Sequence, residues 1–183
     1  MGAAGRERLS PGTRCAECDE MQLNEKIVSP ERAAQMAAEL RAQGRRIAFT
    51  NGCFDLLHAG HALYLEQARA LGDFLIVGLN SDQSVSAIKG PHRPIVSERE
   101  RAQLLAALES VGLVVIFSEM TSLALLDVLR PEIFVKGGDY TKTTINQEEK
   151  NFVESYGGEV FLIPALPESS TTRIIERILT AHS

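Results

Sequence analysis

His58 and His61 are separated only by Ala59 and Gly60, and they follow the run Asn51-Gly52-Cys53-Phe54-Asp55. At that spacing two imidazoles project from one side of the first turn of a helix. There the free N–H groups and the positive end of the dipole already attract an anion. Gly60 removes side-chain bulk and leaves room for a triphosphate, and Gly52 lets the backbone turn tightly beside a ligand. The chemistry open to such a pair is hydrogen-bond donation to phosphate oxygens as charge builds on a transferring phosphorus. Taken alone, two histidines at this spacing read more readily as two unrelated surface residues; their position after an apolar run and a glycine turn reverses that and favours the anion site. A histidine-pair metal site is a third use, but the further His, Cys or Glu ligands that a closed zinc site wants are missing.

Other residues with suitable chemistry recur after apolar runs. Lys89 and Arg93 sit in the Gly/Pro-punctuated segment Lys89-Gly90-Pro91-His92-Arg93-Pro94, read as a flexible basic clamp off any helix face. Lys136 leads Gly137-Gly138-Asp139-Tyr140, two glycines directly after a strand, which suit a turn or close backbone approach to a ligand. Ser170, Thr171 and Thr172 precede the last helical stretch and are good N-caps in any protein. Ser97 with Glu100 makes a capping box for the helix that carries Arg101. Cys15 and Cys18 form a Cys-x-x-Cys with no second pair beside it. Cys53 needs no nucleophilic role in phosphate chemistry.

These residues need a scaffold. The runs Ile47–Thr50, Phe74–Leu79, Leu113–Phe117, Ile133–Val135 and Val160–Ile163 are continuously apolar, as strands buried on both faces are. Between them lie helical patterns over His58–Leu71, Glu98–Ser110, Ser122–Leu129, Gln147–Tyr156 and Thr172–Leu179, and Pro30 opens an earlier amphipathic helix over about 30–43. The alternation predicts an α/β fold: a five-stranded parallel sheet with right-handed crossovers and helices on both faces. Ligands then bind beyond the carboxyl ends of the strands, where these motifs fall. Residues 1–24 read as a loose polar tail and 25–183 as one domain.

The 183-residue chain is 44% hydrophobic and 23% charged with a formal net charge of −5. That balance gives no broad attraction to nucleic acid or acidic membranes. No apolar run approaches the roughly 20 residues of a membrane span, and three cysteines are too few for a disulfide framework. A cytoplasmic protein is expected.

The string Phe49-Thr50-Asn51-Gly52-Cys53-Phe54-Asp55-Leu56-Leu57-His58-Ala59-Gly60-His61 resembles the His-x-Gly-His signature of the cytidylyltransferase-like nucleotidylyltransferase superfamily, and is close to that of the D-glycero-β-D-manno-heptose 1-phosphate adenylyltransferases. The resemblance runs from about Lys26 to Ile178. It implies a Rossmann-like three-layer αβα fold and transfer of AMP from ATP to a heptose 1-phosphate, with glycerol 3-phosphate and CTP, or another sugar phosphate, as the alternative. A nucleotide-binding domain without turnover is the rival of another class; an oxidoreductase is disfavoured because Gly-x-Gly-x-x-Gly is absent.

By resemblance, His58, His61 and Lys89 are catalytic. Asn51, Gly52, Cys53, Phe54, Gly60, Arg101, Ser170, Thr171 and Thr172 bind the nucleotide, although a surface salt bridge competes for Arg101. Asp55, Arg93, Lys136, Gly137, Gly138 and Asp139 bind the acceptor. The pattern departs from the family at Glu168-Ser169, where the family commonly carries Gly and then a hydrophobic residue or Cys; a carboxylate turned inward there would repel phosphate. Mg²⁺ is expected on the triphosphate, with no metal ligands from the protein. A separate heptose kinase is implied upstream, and a homo-oligomer (dimer or tetramer) is expected from relatives of this type.

Overall fold

The computed structural model describes residues 24–138, 141, 143–164 and 170–181. The N-terminal tail with Cys15 and Cys18, and Asp139, Tyr140, Glu168 and Ser169, lie outside the described residues.

In chain order the elements are α1 (Pro30–Ala42), β1 (Ile47–Gly52), α2 (Ala59–Ala70), β2 (Phe74–Asn80), α3 (Asp82–Lys89), α4 (Glu98–Ala106), β3 (Leu113–Phe117), α5 (Leu123–Leu129), β4 (Ile133–Gly138), α6 (Gln147–Ser155), β5 (Glu159–Pro164) and α7 (Thr171–Ala181). The five strands form one sheet in the order β3-β2-β1-β4-β5, every pairing parallel. Strand order reverses between β1 and β4, so the ligand crevice of such a sheet opens at their carboxyl ends.

Each strand feeds both faces. Ile47 and Phe49 pack with Ala33, Ala37, Leu125, Leu126 and Val153 from α1, α5 and α6. Ala48, between them, packs with Leu65, Ala68, Ala102 and Leu105 from α2 and α4 on the opposite face. Two apolar layers therefore sandwich the sheet, which explains why the strands lack the polar alternation of a half-exposed sheet. Among the described residues no helix is long and apolar enough to cross a membrane.

Three features differ from the sequence expectation. The segment leading to Lys89 is not an irregular loop but the short helix α3, started by Ser81, whose side chain accepts the Ser84 N–H, and stopped by Gly90 at φ 99°. Lys89 is thus fixed at a helix end. Strand β4 also runs through Lys136-Gly137-Gly138 instead of stopping at Val135, because β5 supplies partners as far as Pro164 and glycine obstructs no ladder. Finally, α4 ends at Ala106: the Lys26 ammonium reaches the carbonyls of Leu108 and Val111 at 3.3 and 2.9 Å and holds them in a turn. The expected capping box is present, with Ser97 and Glu100 exchanging side-chain and backbone hydrogen bonds.

Candidate active site

The crevice at the β1/β4 switch point is a cleft of about 670 Å³. Its floor begins where β1 ends. Phe54 takes φ 46°, a left-handed conformation uncommon for a bulky residue. That turn buries its ring and sets it edge-on to His61, 5.2 Å away at 61°. His58 is the N-cap of α2, in extended conformation, and its side chain makes no capping bond. The two imidazoles are consequently free of the helix end and stack on each other, with centroids 3.8 Å apart and planes 23° from parallel.

Burial sets the protonation of the pair. It pushes the His61 pKa down to about 4; proximity to His58 adds to the fall, and the Leu56 backbone offsets it slightly. Burial also lowers the His58 pKa. Both rings are neutral at pH 7, and each offers one N–H donor and one acceptor nitrogen. Each Nδ1 is buried with no hydrogen-bond partner among the described residues. Unpaired polar atoms at a cleft wall are costly unless a ligand or solvent meets them.

Two clamps hold the turn from behind. Asp55 is buried and accepts from the Ile95 and Val96 N–H groups at 2.7 and 3.0 Å and from the Arg93 guanidinium. Burial pulls its carboxyl upward, but these donors outweigh it and hold its pKa below the usual range. Arg101 is 1% exposed and pairs with the Asp82 carboxylate at 2.7 Å. Its guanidinium donates to the carbonyls of Cys53 and Val96 and to the Asp82 carboxylate. It fixes the turn that presents His58 and His61.

Cys53 lines the cleft. Burial raises its thiol pKa, with Lys89, Arg101 and Arg93 in partial opposition, so the thiolate is scarce and a nucleophilic role is unsupported.

On the far side of the switch point, the Lys136 ammonium donates to Asn51 Oδ1 at 2.6 Å and lies 3.0 Å from the Glu149 carboxylate, bridging β1, β4 and α6. Burial lowers its pKa, while the Glu149 charge and contact act the other way. Next to it Gly137 has no room for a side chain: a Cβ there would lie 2.4 Å from the Tyr64 ring. Tyr64 itself hydrogen-bonds Thr50 and the Val135 carbonyl, tying α2 to both strands. At the cleft mouth the Ser170 hydroxyl accepts the Arg173 N–H at 3.2 Å, and Ser170, Thr171 and Thr172 begin α7 facing the cavity.

The cleft therefore gathers Asn51, Gly52, Cys53, Phe54, Asp55, His58, Gly60, His61, Lys89, Arg93, Lys136, Gly137, Gly138, Ser170, Thr171 and Thr172. Arg101 stays behind its wall. Sequence reading missed Asn80, Asn146, Glu149, Tyr64 and Met120, which also line it. Glu149 falls inside the helical pattern read over Gln147–Tyr156, and Asn146 caps α6 by accepting the Glu148 and Glu149 N–H groups.

A parallel sheet whose switch-point crevice is lined by a histidine pair and by a helix N-terminus defines an anion-handling nucleotide site. The chain belongs to the cytidylyltransferase-like family, whose model matches residues 49–177. It is 57% identical over 142 residues to Bifunctional protein HldE of Syntrophotalea carbinolica, covering 78% of this chain and 29% of that protein. It is 47% identical over 182 residues to Bifunctional protein HldE of Geotalea uraniireducens, covering 98% and 37%. The chain spans about a third of the length of these curated relatives.

Among solved structures, a lipopolysaccharide core biosynthesis protein from Thermoplasma volcanium superimposes with TM-score 0.55 at 25% identity, over 69% of this chain and all of that one. Pantoate-beta-alanine ligase from Francisella tularensis, complexed with Beta-gamma ATP and beta-alanine, superimposes with TM-score 0.58 at 16% identity, over 86% and 78%, a likeness of fold alone.

Proposed function

We propose that the chain transfers AMP from ATP to D-glycero-β-D-manno-heptose 1-phosphate, releasing pyrophosphate and giving ADP-heptose. The observation that carries this reading is the stacked, neutral His58–His61 pair in the β1/β4 crevice, which the N-terminus of α7 also lines. The similarity to HldE proteins and to a lipopolysaccharide core biosynthesis protein supports the choice of acceptor.

In the reaction an acceptor phosphate oxygen attacks the α-phosphorus in line. A new P–O bond forms, the bond to pyrophosphate breaks, and no covalent enzyme intermediate is required. His58 and His61 donate to phosphate oxygens where charge develops. Lys89, at the end of α3, offsets triphosphate charge, Arg93 stays on Asp55 and holds the turn, and the free N–H groups of α7 receive the far end of the triphosphate. Among the described residues no group of three or more His, Cys, Asp or Glu is placed to hold a metal. Asp55 is already spent on Arg93 and two backbone N–H groups. Mg²⁺ would enter as MgATP, the ion offsetting triphosphate charge. On this reading the reaction takes place in the cytoplasm, downstream of a heptose kinase activity.

Incubating the chain with ATP, CTP, GTP or UTP against heptose 1-phosphate, glycerol 3-phosphate and hexose 1-phosphates tests the assignment. ATP with heptose 1-phosphate is expected to release one pyrophosphate per ADP-heptose formed. Release with CTP alone removes the adenylyltransferase reading, and nucleotide binding without product from any acceptor removes the enzymatic one.

A further inference from the structure

We propose that Glu149 and Lys136 together form a hydroxyl-reading subsite on the β4–α6 wall of the cleft, one that takes the acceptor's sugar ring and not a phosphate. This rests on the transferase reading above and assigns one wall of the same cleft.

In sequence Lys136 looks like a phosphate cation. In the structure its charge is already met by Glu149, and one of its protons is given to Asn51. The side chains of this pair are 10% and 3% exposed. A phosphate brought beside Lys136 would therefore set its charge against the Glu149 carboxylate in a wall that water barely screens. A neutral hydroxyl incurs no such repulsion.

The two carboxylate oxygens of Glu149 are not equivalent. Oε1 accepts the Ser122 N–H at 2.7 Å and the Ser122 hydroxyl at 2.8 Å. Oε2 is buried and meets the Lys136 ammonium at 3.0 Å, a single contact off ideal alignment that leaves its second lone pair without a donor among the described residues. An open acceptor on a buried carboxylate is costly, and a donor on a ligand removes that cost. Glu149 and Lys136 both line the cleft, so the ligand is within reach.

A sugar hydroxyl matches this pair on both sides. Its hydrogen satisfies Oε2, and its oxygen, or that of a neighbouring hydroxyl, accepts from a remaining Lys136 N–H. Asn80 and Asn146 line the same cleft and add amide groups for further hydroxyls. Anionic groups are left to the histidine pair and the α7 N-terminus, so different walls of the cleft sort the acceptor by charge.

The test is calorimetric titration of the chain, with α,β-methylene ATP and Mg²⁺ present, using heptose 1-phosphate, its monodeoxy analogues and inorganic phosphate. In Glu149→Gln the affinity for heptose 1-phosphate is expected to fall about 10- to 100-fold, while inorganic phosphate binds as in the unsubstituted chain. On the unsubstituted chain at least one monodeoxy analogue is expected to lose about as much, and that analogue loses little more in Glu149→Gln. Glu149→Asp recovers part of the affinity. Equal weakening of inorganic phosphate, or a monodeoxy series without any penalised member, overturns the subsite. The monodeoxy series needs no substitution and decides the matter even if Glu149→Gln does not fold. Pyrophosphate release is scored separately, so loss of the transferase reading and loss of the subsite are distinct results.

Discussion

A His61→Ala variant is expected to lose at least about a hundredfold in kcat, with a much smaller change in the affinity for ATP. The reason is differential. Neutral imidazole N–H groups gain little from a ground-state phosphate that water and Mg²⁺ already solvate, and gain most when charge accumulates at the α-phosphorus in transit. Removing one preorganised donor from a water-poor site costs about two to three orders of magnitude. His58 remains stacked over the vacated position but cannot supply both bonds.

Folding is not the cause of the loss, and pH separates the two effects. The folded-state pKa of His61 is about 4, below the ordinary 6.5, so the unfolded chain binds more protons between those values. The His61 contribution to stability is complete above pH 6.5 and is lost as pH falls toward 4. His61→Ala lacks that loss, so its thermal midpoint declines less than that of the unsubstituted chain over this window while turnover stays low. A variant that keeps near-normal turnover contradicts the assigned role.

Arg101→Leu is expected to cost about 3 kcal/mol of stability, since the buried carbonyls of Cys53 and Val96 both lose a charged donor. For a chain of this size that lowers the thermal midpoint by roughly 6–12 °C. Activity should fall by about tenfold or more even below the unfolding range, because the Cys53-Phe54 turn that aims the histidines is no longer held. Arg101→Lys should restore little: one ammonium cannot span the three acceptors of a planar guanidinium fork. If Arg101→Leu melts normally and loses only ATP affinity, the residue is a phosphate ligand and not a clamp.

The sheet was legible because its strands are buried on both faces, which leaves runs such as Phe74–Leu79 uninterrupted by polar residues. The histidine pair was legible because a helix start after a glycine turn leaves a local mark. Arg101 was not, since nothing local distinguishes an exposed arginine on a helix from one folded under a turn 48 positions earlier. Glu149 was hidden for a related reason. At the first turn of α6 it reads as a favourable charge at a helix N-terminus, and only the packing of α6 beside β4 brings it to Lys136. The helix α3 went unseen because it spans only eight residues, which is too short for periodicity to declare itself against Gly90 and Pro91. Lys136 lines the cleft, but its counter-ion lies in a distant segment, so the net charge there could not be read.

The central claim is that His58 and His61 meet the triphosphate directly. Nitrogen-15 NMR of the histidine side chains, followed through a titration with α,β-methylene ATP and Mg²⁺, measures this. The free protein should show His61 titrating near pH 4, where burial holds it. Binding should shift the ring nitrogen resonances of both residues and raise the His61 pKa, because the phosphate anion favours imidazolium. By the same linkage, analogue affinity rises as pH falls through the bound-state value. Imidazole resonances and a His61 pKa that stay unchanged at saturating analogue would contradict the account.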